Sequence, residues 1–101
     1  MEIFAEHYTD KSVITVKKNK LIGIENEEFQ NIVQECIDKG SKTISVDLSK
    51  VEYIASWGIG ILVHAYTSCT NRNVEFSLEN IGGSVMNVIH QLKLDRLIKI
   101  K

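Results

Sequence analysis

Ser56 is the residue in this chain best placed to do chemistry. It opens an apolar, helix-patterned run in the stretch Ala55-Ser56-Trp57-Gly58-Ile59-Gly60. A helix N-terminus presents free backbone N–H groups and the positive end of the dipole, so a phosphate on Ser56 would be stabilised where it forms. The plain alternative is that Ser56 caps the helix, a role serine takes routinely. Trp57 beside it is large enough to anchor in a partner's pocket. Gly58-Ile59-Gly60 looks like part of a phosphate-cradling loop, but it lacks a third glycine and the Lys-Ser or Lys-Thr that would follow. Close packing of the first helical turn against another backbone accounts for both glycines. His64 and His90, with Cys69 one turn beyond His64, lack a second pair at metal-ligand spacing and read as ordinary histidines. No nucleophile, base and oxyanion arrangement can be assembled, so the chain reads as a non-enzyme without a cofactor.

The elements around Ser56 must position it. Thr43 to Val46 is β-prone and runs inward, Asp47 to Glu52 is a polar turn, and Val51, Tyr53 and Ile54 return the chain to the core. The helix after Ser56 buries Ile59, Leu62, Val63 and Tyr66 and runs to about Asn71. Upstream, Ile3 to Tyr8 and Val13 to Val16 form a hairpin, and Asn19-Lys20 turns the chain into Leu21-Ile22. A helix follows with Asn26 as N-cap, Phe29, Ile32, Val33, Cys36 and Ile37 on one face, and Gly40 at its end. Glu25, Glu27 and Glu28 read as its solvated start rather than as the wall of a groove for a basic partner. Downstream, Val74, Phe76 and Leu78 alternate with polar residues as a half-exposed strand. Ser84 caps a last helix whose stripe is Val85, Val88, Ile89 and Leu92, and Leu94, Leu97, Ile98 and Ile100 dock the tail. Strands alternating with helices after a hairpin make an α/β fold with a mixed sheet.

Bulk properties exclude several classes. A chain of 101 residues fits one domain with a real core, and 44% hydrophobic with 25% charged residues is ordinary globular usage. The net charge is -1, and the basic residues gather only at Lys17, Lys18, Lys20 and at Lys99, Lys101, so no nucleic-acid partner is expected. Cys36 and Cys69 fall at apolar helical positions, which suits reduced thiols and a cytoplasmic location. The first residues carry no signal core, and the run Ile59 to Ala65 is far shorter than the roughly 20 residues of a membrane span, so no membrane insertion is expected.

Asp47-Leu48-Ser49, Val51, Tyr53-Ile54 and the helix start from Ser56 to Val63 together resemble a STAS domain of the anti-sigma factor antagonist type. That family's pattern is an Asp-Leu-Ser strand end, an apolar pair, then Asp-Ser-Ser-Gly-Leu-Gly opening a helix. Leu94 to Ile98 is similar to the family's C-terminal Leu-Asp-Arg-Leu-Phe, so the resemblance covers most of residues 1–101. It implies a small mixed β-sheet with helices packed on one side and a protein that is not an enzyme. It also implies that Ser56 is phosphorylated by a partner that is both anti-sigma factor and serine kinase. The unphosphorylated chain would bind that partner and free a sigma factor, and a metal-dependent Ser/Thr phosphatase would reset the complex. Partner contacts would fall on Ala55, Ser56, Trp57, Gly58, Ile59, Asn19 and Ile22. Trp57 lies where the family has a small polar residue, which favours its exposure. Ala55 and Ile22 replace family aspartates and Asn19 a glycine, all in or near the partner surface, which points to an altered partner or a disabled switch. The second reading is a non-switching STAS interaction module: a constitutive docking subunit of a transporter-type or signalling complex, or a small-ligand binder.

Overall fold

The period-two pattern at the start folds as an antiparallel hairpin, β1 (Ile3–His7) against β2 (Lys11–Val16), with Ile3 opposite Val16 and His7 opposite Ser12. The computed structural model describes residues 2–101. Parallel strands extend the sheet from β2: β4 (Thr43–Asp47), then β6 (Glu75–Glu79), then β7 (Lys99–Ile100) at the far edge. A separate two-stranded parallel ribbon joins β3 (Lys20–Leu21) to β5 (Tyr53–Ile54). The helices are α1 (Asn26–Asp38), α2 (Ser56–Asn71) and α3 (Gly83–Gln91), followed by a 3-10 turn at Leu94–Arg96.

Register decides which face is the core. Ile14, Val46 and Leu78 stand side by side, as do Ser12, Ile44 and Phe76, and all of these are buried. The helices cover this face: α1 lies against β1 and β2, and α2 against β6 and α1. The opposite face carries Phe4, Val13, Thr15, Ser45 and Ser77. A mixed sheet with helices packed on one side is therefore the architecture; the sequence pattern implies the mixed sheet and the resemblance the one-sided packing.

Several local expectations change. Ser77 was expected on a half-exposed strand, yet it is fully buried, its hydroxyl 3.0 Å from that of Ser45, while Lys101 Nζ donates to Ser45 Oγ at 3.3 Å. β6 is flanked by β4 and β7, so its small Ser77 sinks between neighbouring strands, and its hydroxyl and that of Ser45 on β4 satisfy each other. Ser84 does not cap α3; Gly82 is the N-cap and Ser84 the second helical residue. Leu92 and Leu97 are exposed, and the tail adds the strand β7 rather than merely docking. Gly40, at φ +87°, ends α1 in the left-handed region where a side chain is disfavoured, as its type predicts.

Candidate functional site at the head of α2

The site is built on the β3–β5 ribbon. The Asn19 carbonyl accepts from the N–H groups of Glu52 (2.8 Å) and Tyr53 (3.0 Å), and the Leu21 carbonyl accepts from Ala55 N–H at 3.0 Å. Leu21 and Ile54 point inward and are buried. By strand alternation Lys20 and Ile22 point the other way, as does Tyr53, which is 56% exposed and not part of the core as its apolar setting implied. The ribbon thus turns one edge to the core and the other to solvent.

α2 starts at Ser56, and its first ladder bond runs from Ile59 N–H to the Ala55 carbonyl at 3.0 Å. The N–H groups of Ser56, Trp57 and Gly58 lie ahead of that ladder. Ala55, in extended backbone, is the N-cap, and no side chain caps the helix. Ser56 is therefore the first helical residue with an exposed side chain, and the simple capping role considered for it is not the one it plays.

Gly58 fixes how α2 sits. A Cβ there would collide with the Leu21 carbonyl oxygen, so only glycine lets the helix start close against the ribbon. Residues three, four, seven and eleven positions on then face inward, and Ile61, Leu62, Ala65 and Cys69 are the buried set. The expected stripe of Ile59, Leu62, Val63 and Tyr66 is rotated from this; Ile59, Val63 and Tyr66 only flank the core. A Cβ on Gly60 would meet nothing within 4 Å, so close packing explains one glycine of the pair and not the other.

Trp57 is 80% exposed, with its Cβ against Gly23. Gly23 has φ +125°, and a Cβ on it would come within 2.6 Å of Trp57 Cβ, so glycine is required twice over. Gly23, Asn26, Ser56, Trp57, Gly60, Ile61 and His64 surround a groove of about 460 Å³. Of the seven residues expected to meet a partner, Ala55, Ser56, Trp57, Asn19 and Ile22 lie at least partly open at this end of the molecule. Gly58 is buried beneath Leu21, and Ile59 is half-buried against the core.

Glu25 is a residue whose role the sequence did not disclose. Expected in solvent, it is 4% exposed and is the N-cap of α1, while Asn26 is the first helical residue and accepts from Gln30 Nε2 at 3.1 Å. Its carboxylate reaches backwards, accepting from Ile22 N–H at 3.1 Å, Gly23 N–H at 2.9 Å and Lys18 Nζ at 2.7 Å. Burial pushes the carboxyl up, but the Lys18 ammonium and the backbone donors more than offset this and hold it below the usual carboxylate range. The hydrogen bond to Glu25 raises Lys18 in turn. Glu25 thereby holds the turn that seats Gly23 against Trp57. A buried glutamate paired to a lysine seven residues upstream leaves no periodic trace.

One serine, histidine and carboxylate do stand in line: Ser12 Oγ lies 2.9 Å from His7 Nδ1, and His7 Nε2 lies 3.3 Å from Glu35 Oε1. Ser12 is fully buried and its hydroxyl is shared with Ser41 at 2.5 Å, so no substrate can reach it. The array ties β1, β2 and α1 together. His90 Nδ1 is 3.0 Å from Asp95 Oδ2, tying α3 to the 3-10 turn.

The STAS domain pattern matches residues 4–101. A Thermotoga maritima protein provisionally named an anti-sigma factor antagonist is 31% identical over 90 residues, covering 87% of this chain and 80% of its own. The crystal structure of a provisionally named anti-sigma factor antagonist from Thermotoga maritima superposes with a TM-score of 0.77 at 30% identity, over 97% of this chain and 84% of that one. The Bacillus cell fate determinant SpoIIAA in its phosphorylated form shares the fold, with a TM-score of 0.72 at 15% identity over 98% and 90% of the two chains. Pattern, relatives and architecture agree along nearly the whole length, and the chain belongs to the STAS domain family.

Proposed function

We propose that this protein is a cytoplasmic anti-sigma factor antagonist acting by phosphorylation-dependent partner switching, with Ser56 the modified residue. Unphosphorylated, it binds an anti-sigma factor that is also a serine kinase; phosphorylation of Ser56 releases it, and a metal-dependent Ser/Thr phosphatase restores it. The observation that carries this reading is the exposed Ser56 side chain at the first position of α2, not engaged in capping and set beside an exposed tryptophan. The relatives named as anti-sigma factor antagonists supply the class of partner. Among the described residues no helix is long and apolar enough to cross a membrane.

The mechanism is electrostatic. A phosphate brings about -1.5 to -2 charges and three acceptor oxygens to Ser56. The N–H groups ahead of the α2 ladder stabilise it in the free protein. In the complex the same charge must be desolvated next to Trp57, and penalties of a few kcal/mol reverse docking. The exposed Trp57 and Ile22 supply the apolar contact that the phosphate disrupts.

Incubation with the cognate kinase and ATP, followed by mass spectrometric mapping, should place a single phosphate on Ser56, and Ser56→Asp should abolish binding to that kinase. Unchanged binding of Ser56→Asp to the partner would mean a constitutive docking module instead.

A further inference from the structure

α1 presents a second surface that the switch does not use. Ile24, Glu27, Glu28, Asn31, Ile32 and Glu35 line an open groove of about 530 Å³. Ile24 is 80% exposed, an unusual position for an isoleucine in a turn held as firmly as the one Glu25 braces. Three of the lining residues are carboxylates and none is cationic, so Glu27 and Glu28, which the sequence alone reads as a solvated helix start, here form part of a groove wall. Among the described residues Glu27 and Glu28 form no ion pair, and Glu35 meets only His7. Lys18, which lies within the field of Glu28, is already engaged by Glu25.

We propose that this groove docks a basic amphipathic helix of a protein partner. The inference rests on the reading that the chain works by docking proteins. Glu27, Asn31 and Glu35 recur at four-residue spacing and form one row along α1, with Glu28 and Ile32 forming the next. Eight residues of helix span about 12 Å, which matches two turns of a helix laid alongside at about 8–10 Å. Apolar side chains of the partner at i, i+3 or i+4, and i+7 would rest on Ile24 and Ile32 while its Lys or Arg residues face the carboxylate row. An anionic surface excludes nucleic acid and acidic membranes as the occupant. Ile24 adjoins Gly23, which lines the Ser56 groove, so the docked helix would extend the partner contact from the switch along α1.

The test uses the full chain, labelled with ¹⁵N, and a synthetic Leu/Lys peptide of about 18 residues with leucine at helical spacing. Amide shifts should concentrate between Ile24 and Glu35. Affinity should fall on the order of tenfold in the triple variant Glu27→Gln, Glu28→Gln, Glu35→Gln and severalfold in Ile24→Ser. Thermal midpoints near the parent's would show that both variants fold, as expected for exposed positions. Shifts centred elsewhere, or equal binding by a scrambled peptide of the same charge, would overturn the proposal, as would unchanged affinity in the triple variant. The peptide needs neither kinase nor phosphate, so a Ser56 that is never modified leaves this result standing. A phosphorylated Ser56 without peptide shifts on α1 removes the groove alone.

Discussion

Replacing Gly58 and Gly60 separately by alanine perturbs one turn of α2 with the same added methyl, and the two changes are expected to move stability in opposite directions. At Gly60 the new Cβ meets nothing within 4 Å, so the helix gains the propensity difference between alanine and glycine, about 0.5–1 kcal/mol. At Gly58 it runs into the Leu21 carbonyl, lying 2.8 Å from the carbonyl carbon and 3.0 Å from Ile54 Cγ1. That carbonyl accepts from Ala55 N–H at 3.0 Å and cannot swing away without losing the bond, roughly 1 kcal/mol. Overpacking adds about 1–3 kcal/mol, and the propensity gain offsets about 1 kcal/mol, leaving a net loss of about 1–3 kcal/mol. With about 4–8 °C per kcal/mol in a domain of this size, the two variants should melt about 6–30 °C apart. Urea and thermal unfolding followed by far-ultraviolet circular dichroism at pH 7 measure this directly. A Gly58→Ala variant as stable as Gly60→Ala would refute the close approach of α2 to the ribbon and, with it, the account of how Ser56 is positioned.

The buried Glu25 contributes to the acid limb of stability. Its folded carboxyl titrates below the unfolded value, so its contribution is full above about pH 4.5 and is lost as pH falls through the folded value; Lys18, raised, loses its share only above about pH 10.5. Glu25→Gln should therefore lower stability by about 1–3 kcal/mol at pH 7 and flatten the decline of the urea midpoint between pH 5 and pH 3; a variant with the parent's acid profile would contradict this assignment. Burial pushes the Cys69 thiol up to about 12 and raises Cys36 as well, so neither should react with a disulfide reagent at pH 8 in the folded protein. Labelling that outpaces unfolding would show that these thiols are not sealed in the core.

The strands and helices of the domain were legible because its patterns are strong. Ile14, Val16, Ile44, Val46, Phe76 and Leu78 alternate or run as a core sheet must, and each is buried. What failed were choices between faces and between caps. α2 is apolar nearly all round, so periodicity alone cannot choose Ile61 and Ala65 over Ile59 and Val63; the choice comes from a contact between Gly58 and Leu21, distant in sequence. Taking Gly58 itself as the inward position would have given the correct stripe. Asn26 and Ser84 have the composition of N-caps, but in each case the chain enters the helix one or two residues earlier, at Glu25 and Gly82. Glu25 is not legible in the sequence because exposure is the ordinary state of a glutamate at a helix start, and only its tertiary partners bury it. The serine at the head of α2 was legible from spacing and resemblance, whereas the exposed flank of the ribbon and the groove beside Trp57 depend on how two short strands pair.

Of the four departures from the family pattern near Ser56, those at Ala55, Trp57 and Ile22 run in one chemical direction. By the resemblance, Ala55 and Ile22 stand where the family has aspartates, and Trp57 where it has a serine. Together they remove two carboxylates and add two large apolar side chains, of which Trp57 is almost entirely open to solvent. A docking surface of this kind gains more from burying apolar area and relies less on charged pairs. It also makes a new charge more costly, since a phosphate entering a contact formed by Trp57 and Ile22 would lose hydration with fewer polar groups to replace it. Removing the neighbouring carboxylates meanwhile lessens repulsion against the phosphate in the free protein. Both effects shift the phosphorylated chain toward release. If Ser56 is the switch proposed above, the residues at Ala55, Trp57 and Ile22 would alter which partner surface fits and would still leave a phosphate at Ser56 opposed to docking.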